Sequence, residues 1–128
     1  MLKTSTEKLR ESLHGDYTRY YVAGFKSNDV ALINKMVRYP ITYIKDGEVT
    51  VCDEYPIDPQ KLKKEKGWDH STDWKFDITA VNDIEAHAVA CAVRRRADGS
   101  EIERVHGFYA FTMTDDGWKI YAFAEATF

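Results

Sequence analysis

Cysteine is scarce in this chain, and no motif for cross-linking or metal binding is present. The two cysteines, Cys52 and Cys91, lie in strand-like runs without CxxC or zinc spacing. Buried reduced thiols are therefore expected, not a disulfide framework. The four histidines, His14, His70, His87 and His106, show neither HxH nor HExxH spacing, so no metal site is expected. There is no glycine-rich phosphate loop and no GxSxG nucleophile, and no cofactor is implied. No apolar run approaches membrane-spanning length. The opening residues lack the apolar core of a signal peptide. A soluble cytoplasmic protein is the expectation. An excess of basic charge is missing too, since the net charge is −3. The basic clusters Lys61–Lys66 and Arg94–Arg96 form no continuous stripe, so no nucleic-acid partner is expected.

Aromatic residues are what the chain does have: 13% of it, with eight tyrosines among 128 residues. A chain of that length suits one domain, here 1–128, with a core that needs no disulfides. The aromatics fit either an apolar pocket, an interface or an aromatic core.

Thr4 to Glu7 has capping-box spacing. Leu9, Leu13, Tyr17, Tyr20, Tyr21 and Gly24 then repeat at three- and four-residue steps, predicting an amphipathic helix to about Phe25. Ser27-Asn28-Asp29 caps a second helix with Val30, Ile33, Met36 and Val37 on its apolar face, ended by Pro40. Ile41–Ile44 and Glu48–Cys52 flank Lys45-Asp46-Gly47 as a short hairpin. Asp58-Pro59 opens a third helix, which Gly67 stops.

The remainder reads as strands. Trp74–Val81, Ile84–Arg95 and two strands from Ile102 to the end make a four-stranded meander. In Ile84–Arg95, alanines 86, 88, 90 and 92 share one face and Val89, Cys91 and Val93 the other, predicting a strand covered on both sides. The fold class is α+β: three N-terminal helices on a strongly curved antiparallel sheet, with a short hairpin and the meander.

Arg19-Tyr-Tyr21, Ser27-Asn-Asp29, Val30-Ala-Leu-Ile and the ending Asp116-Gly-Trp-Lys-Ile120 occur in this element order over nearly the whole chain. On these the chain resembles the nuclear transport factor 2-like superfamily. That cone-shaped, cystatin-like fold is shared by SnoaL-type polyketide cyclases, ketosteroid isomerases and scytalone dehydratase. The resemblance implies a homodimer. It also implies an oxyanion-stabilising tyrosine, which falls at Tyr21. The isomerase base falls at Lys45, and the second oxyanion donor near Tyr109, so two of three positions depart from the isomerase pattern. The cyclases carry polar residues on the late strands, and the acidic candidate here is Glu125.

Glu125 sits among Ala122, Phe123, Ala124 and Ala126. Inside an apolar cavity a carboxylate is suited to move a proton; at a strand end it would instead pair with Arg or Lys at the surface. The last hairpin has two open registers. A two-residue turn at Asp115-Asp116 sets His106 opposite Glu125, as a dyad. A bulge at Gly117 sets Gly107 opposite Glu125 and turns His106 to the other face; Asp-Asp-Gly favours this form. Then Val105, Tyr109, Phe111, Tyr121, Phe123 and Glu125 share a face, either as a ligand wall or as core. Catalytic candidates are Glu125, Tyr21 and Tyr109; ligand-binding candidates are Tyr17, Tyr121, Phe123, Phe111, His106 and Trp74. Two functions follow. One is binding of a small hydrophobic or aromatic molecule, with cofactor-free isomerase, cyclase or dehydratase chemistry. The other is a non-catalytic homodimeric interaction module with a plugged cavity.

Overall fold

The computed structural model describes residues 4–128. The Thr4 hydroxyl caps the first helix by accepting from the Glu7 amide at 3.1 Å, as the spacing predicts. Helix α1 (Ser5–Asp16) continues through a π-helical turn (Tyr17–Val22) into α2 (Ala23–Ser27). Residues four apart drift by about 40° around an α-helix. The wider π turn takes up that drift, so Tyr17, Tyr21 and Phe25 form one row, with successive ring centroids 5.2 and 5.1 Å apart. Asp29 caps the short α3 (Val30–Asn34) through the Leu32 amide. Gly24 lets α3 approach closely: a Cβ there would lie 2.5 Å from Ile33 Cγ1.

The second helix is shorter than its apolar spacing predicts. It ends at Asn34, and Met36 and Val37 are buried at the entry to β1 (Val37–Lys45). Pro40, expected to stop the helix, lies inside that strand after a cis peptide bond. It falls between Val37 and Thr42, where the ladder to the neighbouring strand is interrupted. Its missing N–H therefore removes no ladder bond.

β2 (Glu48–Cys52) pairs back on β1 around Asp46 and Gly47, both at positive φ, as the hairpin signal requires. α4 (Pro59–Lys66) starts at an Asp58 cap and stops at left-handed Gly67. The meander follows: β3 (His70–Val81), β4 (Glu85–Arg95), β5 (Glu101–Thr114) and β6 (Gly117–Thr127). All six strands form one sheet in the order β2-β1-β6-β5-β4-β3. The sheet is mixed, because β1 runs parallel to β6 while every other pair is antiparallel.

The long helix lies on the inner face of this sheet. Tyr17 stacks on Phe76 of β3 at 3.9 Å, and Leu13, Ile33, Phe111, Trp118 and Ile120 fill the core with it. On β4 the inner alanines, Ala86 and Ala88, are buried, but Val89 is 46% exposed and its neighbour Phe108 is 50% exposed. The expectation of cover on both sides is thus corrected: the helices supply only one side. An apolar outer face records that cover is favourable without saying what provides it.

The last hairpin combines the two registers. Thr114 pairs with Gly117, so the turn holds two residues. An irregularity at Tyr121 then shifts the pairing, and Gly107 lies opposite Glu125. The bulge that puts Glu125 and His106 on opposite faces is thus at Tyr121 and not at Gly117.

Candidate functional site

Between the helix row and the inner sheet face lies a cavity of about 60 Å³. Tyr17, Tyr21 and Phe25 line it from the helix; Tyr109, Arg94 and Glu125 line it from the sheet. Trp74, 39% exposed, stands at its open side together with buried Trp68. The two indoles are tied to one residue: Trp68 Nε1 donates to Ser71 Oγ at 3.0 Å, and Trp74 Nε1 to the Ser71 carbonyl at 3.1 Å.

The tyrosine hydroxyls form a chain. Tyr21 and Tyr55 share a hydrogen bond of 2.6 Å, Tyr109 donates to Tyr21 at 3.4 Å, and the Tyr17 ring lies edge-on to Tyr109 with centroids 6.0 Å apart. Burial holds the phenols of Tyr17, Tyr21, Tyr55 and Tyr109 well above their ordinary range, reinforced at Tyr21, Tyr55 and Tyr109 by neighbouring phenols. They stay neutral and remain hydrogen-bond donors.

A second chain carries charge. Lys66 Nζ bonds Glu103 at 2.8 Å, and Arg94 Nη1 bonds the other oxygen of Glu103 at 2.6 Å. Arg94 Nη2 reaches Glu125 Oε1 at 3.2 Å, and Lys45 Nζ lies 3.6 Å from the same oxygen. Burial works against the charged form of Glu103, but the bonds from Lys66 and Arg94 outweigh it and hold its carboxyl below the usual range. The Glu125 and Arg94 side chains are 9% and 8% exposed. Buried charges of this kind are tolerated because each is paired.

Of the residues singled out by sequence, Tyr17, Tyr21, Tyr109, Trp74 and Glu125 meet around this cavity. Glu125 combines its two alternatives: it is paired with Arg and Lys, yet inside the fold and not at the surface. Phe123 and Phe111 are fully buried behind the wall. Phe123 stacks against Tyr55 and Tyr109 at 5.7 and 5.9 Å, so both phenylalanines are core and not lining. Tyr121 is corrected outright. As the bulged residue it turns to the outer face, where its hydroxyl donates to Glu85 and Arg38 lies over its ring at 4.9 Å. His106 also faces outward, edge-on to Phe128, and forms no dyad. Sequence reasoning missed Arg94, Trp68 and Tyr55. Arg94 belonged to a triple-arginine run whose faces alternate, and that alternation was the one signal that could have found it.

Lys45, where the isomerase base would fall, is a cation paired to Glu125. Among the described residues, no group of three His, Cys, Asp or Glu is placed to hold a metal ion, and no helix is long and apolar enough to cross a membrane.

A family model described as NTF2-like protein (DUF6841) matches residues 59–128. The chain belongs to this NTF2-like family. Solved NTF2-like structures share its fold. One from Cytophaga hutchinsonii is 13% identical, with a TM-score of 0.68, covering 93% of this chain and 98% of its own. One with a cystatin-like fold from Novosphingobium aromaticivorans is 17% identical at 0.67, covering 94% and 82%. A third, of unknown function, from Shewanella baltica is 15% identical at 0.64, covering 99% and 98%. At such identities the likeness is one of fold. No curated protein matches the chain by sequence. The NTF2-like cone explains why the long helix and inner sheet face converge on one chamber.

Proposed function

We propose that this NTF2-like chain binds a compact, oxygen-bearing small molecule in the cone and moves a proton on it without a cofactor. Tyr21 and Tyr109 are the hydrogen-bond donors, and Glu125 is the proton carrier. The observation that carries this reading is the convergence of neutral tyrosine hydroxyls and one buried carboxylate on a single aromatic-lined cavity. Isomerisation, cyclisation and dehydration all need that combination of polarised oxygen and proton carrier. Size narrows the ligand. A cavity of about 150 Å³ holds benzene, whereas this one encloses about 60 Å³. A large flat ligand does not fit; the enclosed part of the molecule is smaller than one ring, and the rest extends past Trp74. The two free cysteines suit a reducing compartment such as the cytoplasm.

The test is an NMR screen with small oxygenated fragments, reading the ring resonances of Tyr17, Tyr21 and Tyr109. Saturable shifts confined to those rings support the reading. Unmoved rings across the screen sink it. Once a turnover is found, Glu125→Gln should abolish it while the fold is kept.

A second reading has its own support: the outer sheet face exposes Val89 and Phe108 beside a groove of about 550 Å³. Exposed apolar surface of that kind marks an interaction site, and a homodimer through this face would cover it. Sedimentation of the chain and of Phe108→Lys decides it: dimer becoming monomer supports the interface, and a monomeric parent removes it.

A further inference from the structure

We infer that the molecule taken into the cone is a compact neutral amide or lactam, its N–H donating to Glu125 Oε2 and its carbonyl accepting from a cavity tyrosine. This rests on the binding reading above and names its ligand class.

The two oxygens of Glu125 differ in their partners. Arg94 Nη2 and Lys45 Nζ both approach Oε1. Among the described residues no group donates to Oε2, although the side chain is 9% exposed and lines the cavity. Oε2 is not sealed from water, so an occupant that displaces water from it should bring a donor in its place.

Charge decides what kind of donor. The ion chain holds three cations, Lys45, Arg94 and Lys66, against two carboxylates, Glu103 and Glu125. An ammonium ligand would meet that surplus positive charge. A carboxylate ligand would set a second anion against Oε2. A neutral N–H meets neither penalty.

The tyrosines supply the complement. Two hydrogen bonds join Tyr109, Tyr21 and Tyr55, and the Tyr17 ring lies beside them against Tyr109. Four hydroxyls carry four protons. Two are consumed among themselves, leaving two for acceptors outside. The site therefore offers a spare acceptor and at least one spare donor. An amide presents the matching donor and acceptor in one planar group, within the small volume available.

The test compares 2-pyrrolidinone, N-methyl-2-pyrrolidinone and pyrrolidinium, titrated into the full chain by NMR. We expect 2-pyrrolidinone to bind more tightly than the N-methyl probe by about tenfold or more, the scale of one buried unsatisfied acceptor. Pyrrolidinium should bind weakest. In Glu125→Gln, Arg94 and Lys45 both donate, so the new carbonyl faces them and the NH2 replaces Oε2. The preference for the N–H probe should then vanish. Equal binding of the two lactams to the parent chain, or tighter binding of pyrrolidinium, overturns the ligand class but leaves the binding reading standing. Failure of all three probes to move Tyr17, Tyr21 or Tyr109 overturns both. If the variant does not fold, the ranking on the parent chain decides alone.

Discussion

Arg94 reaches Glu125 at 3.2 Å although β5 lies between their strands. The contact is possible because the inner face there is made of small residues: Ala90, Ala92 and Gly107 line the same cavity and leave room for a long side chain. The guanidinium also binds Glu103, so one residue holds two buried carboxylates apart. Replacing Arg94 with Met should destabilise the fold by about 1.5–3 kcal/mol, the scale of lost hydrogen bonds to charged groups, because Glu103 keeps Lys66 and Glu125 keeps the longer contact to Lys45. Urea denaturation would measure it. Glu103→Gln should cost less in this background than in the parent, since its bond to Arg94 is already gone; strict additivity would show that the pair is not coupled.

Acid should act through Glu103. Its folded carboxyl titrates below its unfolded value of about 4.3. Its contribution to stability is therefore present above that value and lost as pH falls through the lower folded one. Glu103→Gln should flatten the stability profile in this window, as read from denaturation midpoints between neutral pH and pH 3. An unchanged slope would assign the acid sensitivity to other carboxylates.

Alkali should act through the buried tyrosines. In the unfolded chain these phenols ionise near pH 10, whereas in the fold burial keeps them protonated well above it. Stability is then intact below about pH 10 and falls above it, because only the unfolded state releases the protons. An ultraviolet titration should show a group of tyrosines that ionises only as the fold is lost. Titration of all eight tyrosines near pH 10 with the fold intact would contradict the buried hydroxyl chain.

Gly107 is required by a close approach. A Cβ at this position would lie 2.8 Å from the Ala124 carbonyl oxygen and 3.9 Å from the Tyr109 hydroxyl. Gly107→Ala should lower the melting temperature by several degrees, consistent with overpacking of about 1–3 kcal/mol. It should also weaken any ligand bound beside Glu125. A variant as stable as the parent would mean that β6 yields at this point.

Local signals in the sequence were read well, because caps and tight turns are decided by a few adjacent residues. Thr4, Asp29, Asp58 and the Asp46-Gly47 turn all act as their residue types require. The spacing of Val30, Ile33, Met36 and Val37 misled because burial at a helix-to-strand junction continues a helical pattern for a few residues beyond the helix. The parallel pairing of β1 with β6 was not legible, since it joins segments some eighty residues apart with no local mark. The site was half legible. Tyr21, Tyr109 and Glu125 stood out as aromatic or acidic residues in apolar runs. Their partners Arg94, Lys45 and Tyr55 did not, because what selects them is distance across the folded sheet and not neighbours in the chain.

The bulge at Tyr121 has a consequence for chain length. Ile120 and Phe123 are buried on the inner face, while Tyr121 points outward as the unpaired extra residue of β6. Most single-residue deletions in a strand would exchange its two faces and turn Glu125 out of the cavity. Removing Tyr121 alone would instead restore regular pairing and leave Phe123 and Glu125 facing inward. The lost contacts would be those to Glu85 and Arg38 on the outside. This strand thus has one position at which shortening preserves the interior and alters only the exterior, so the two faces can diverge independently as the length of β6 varies.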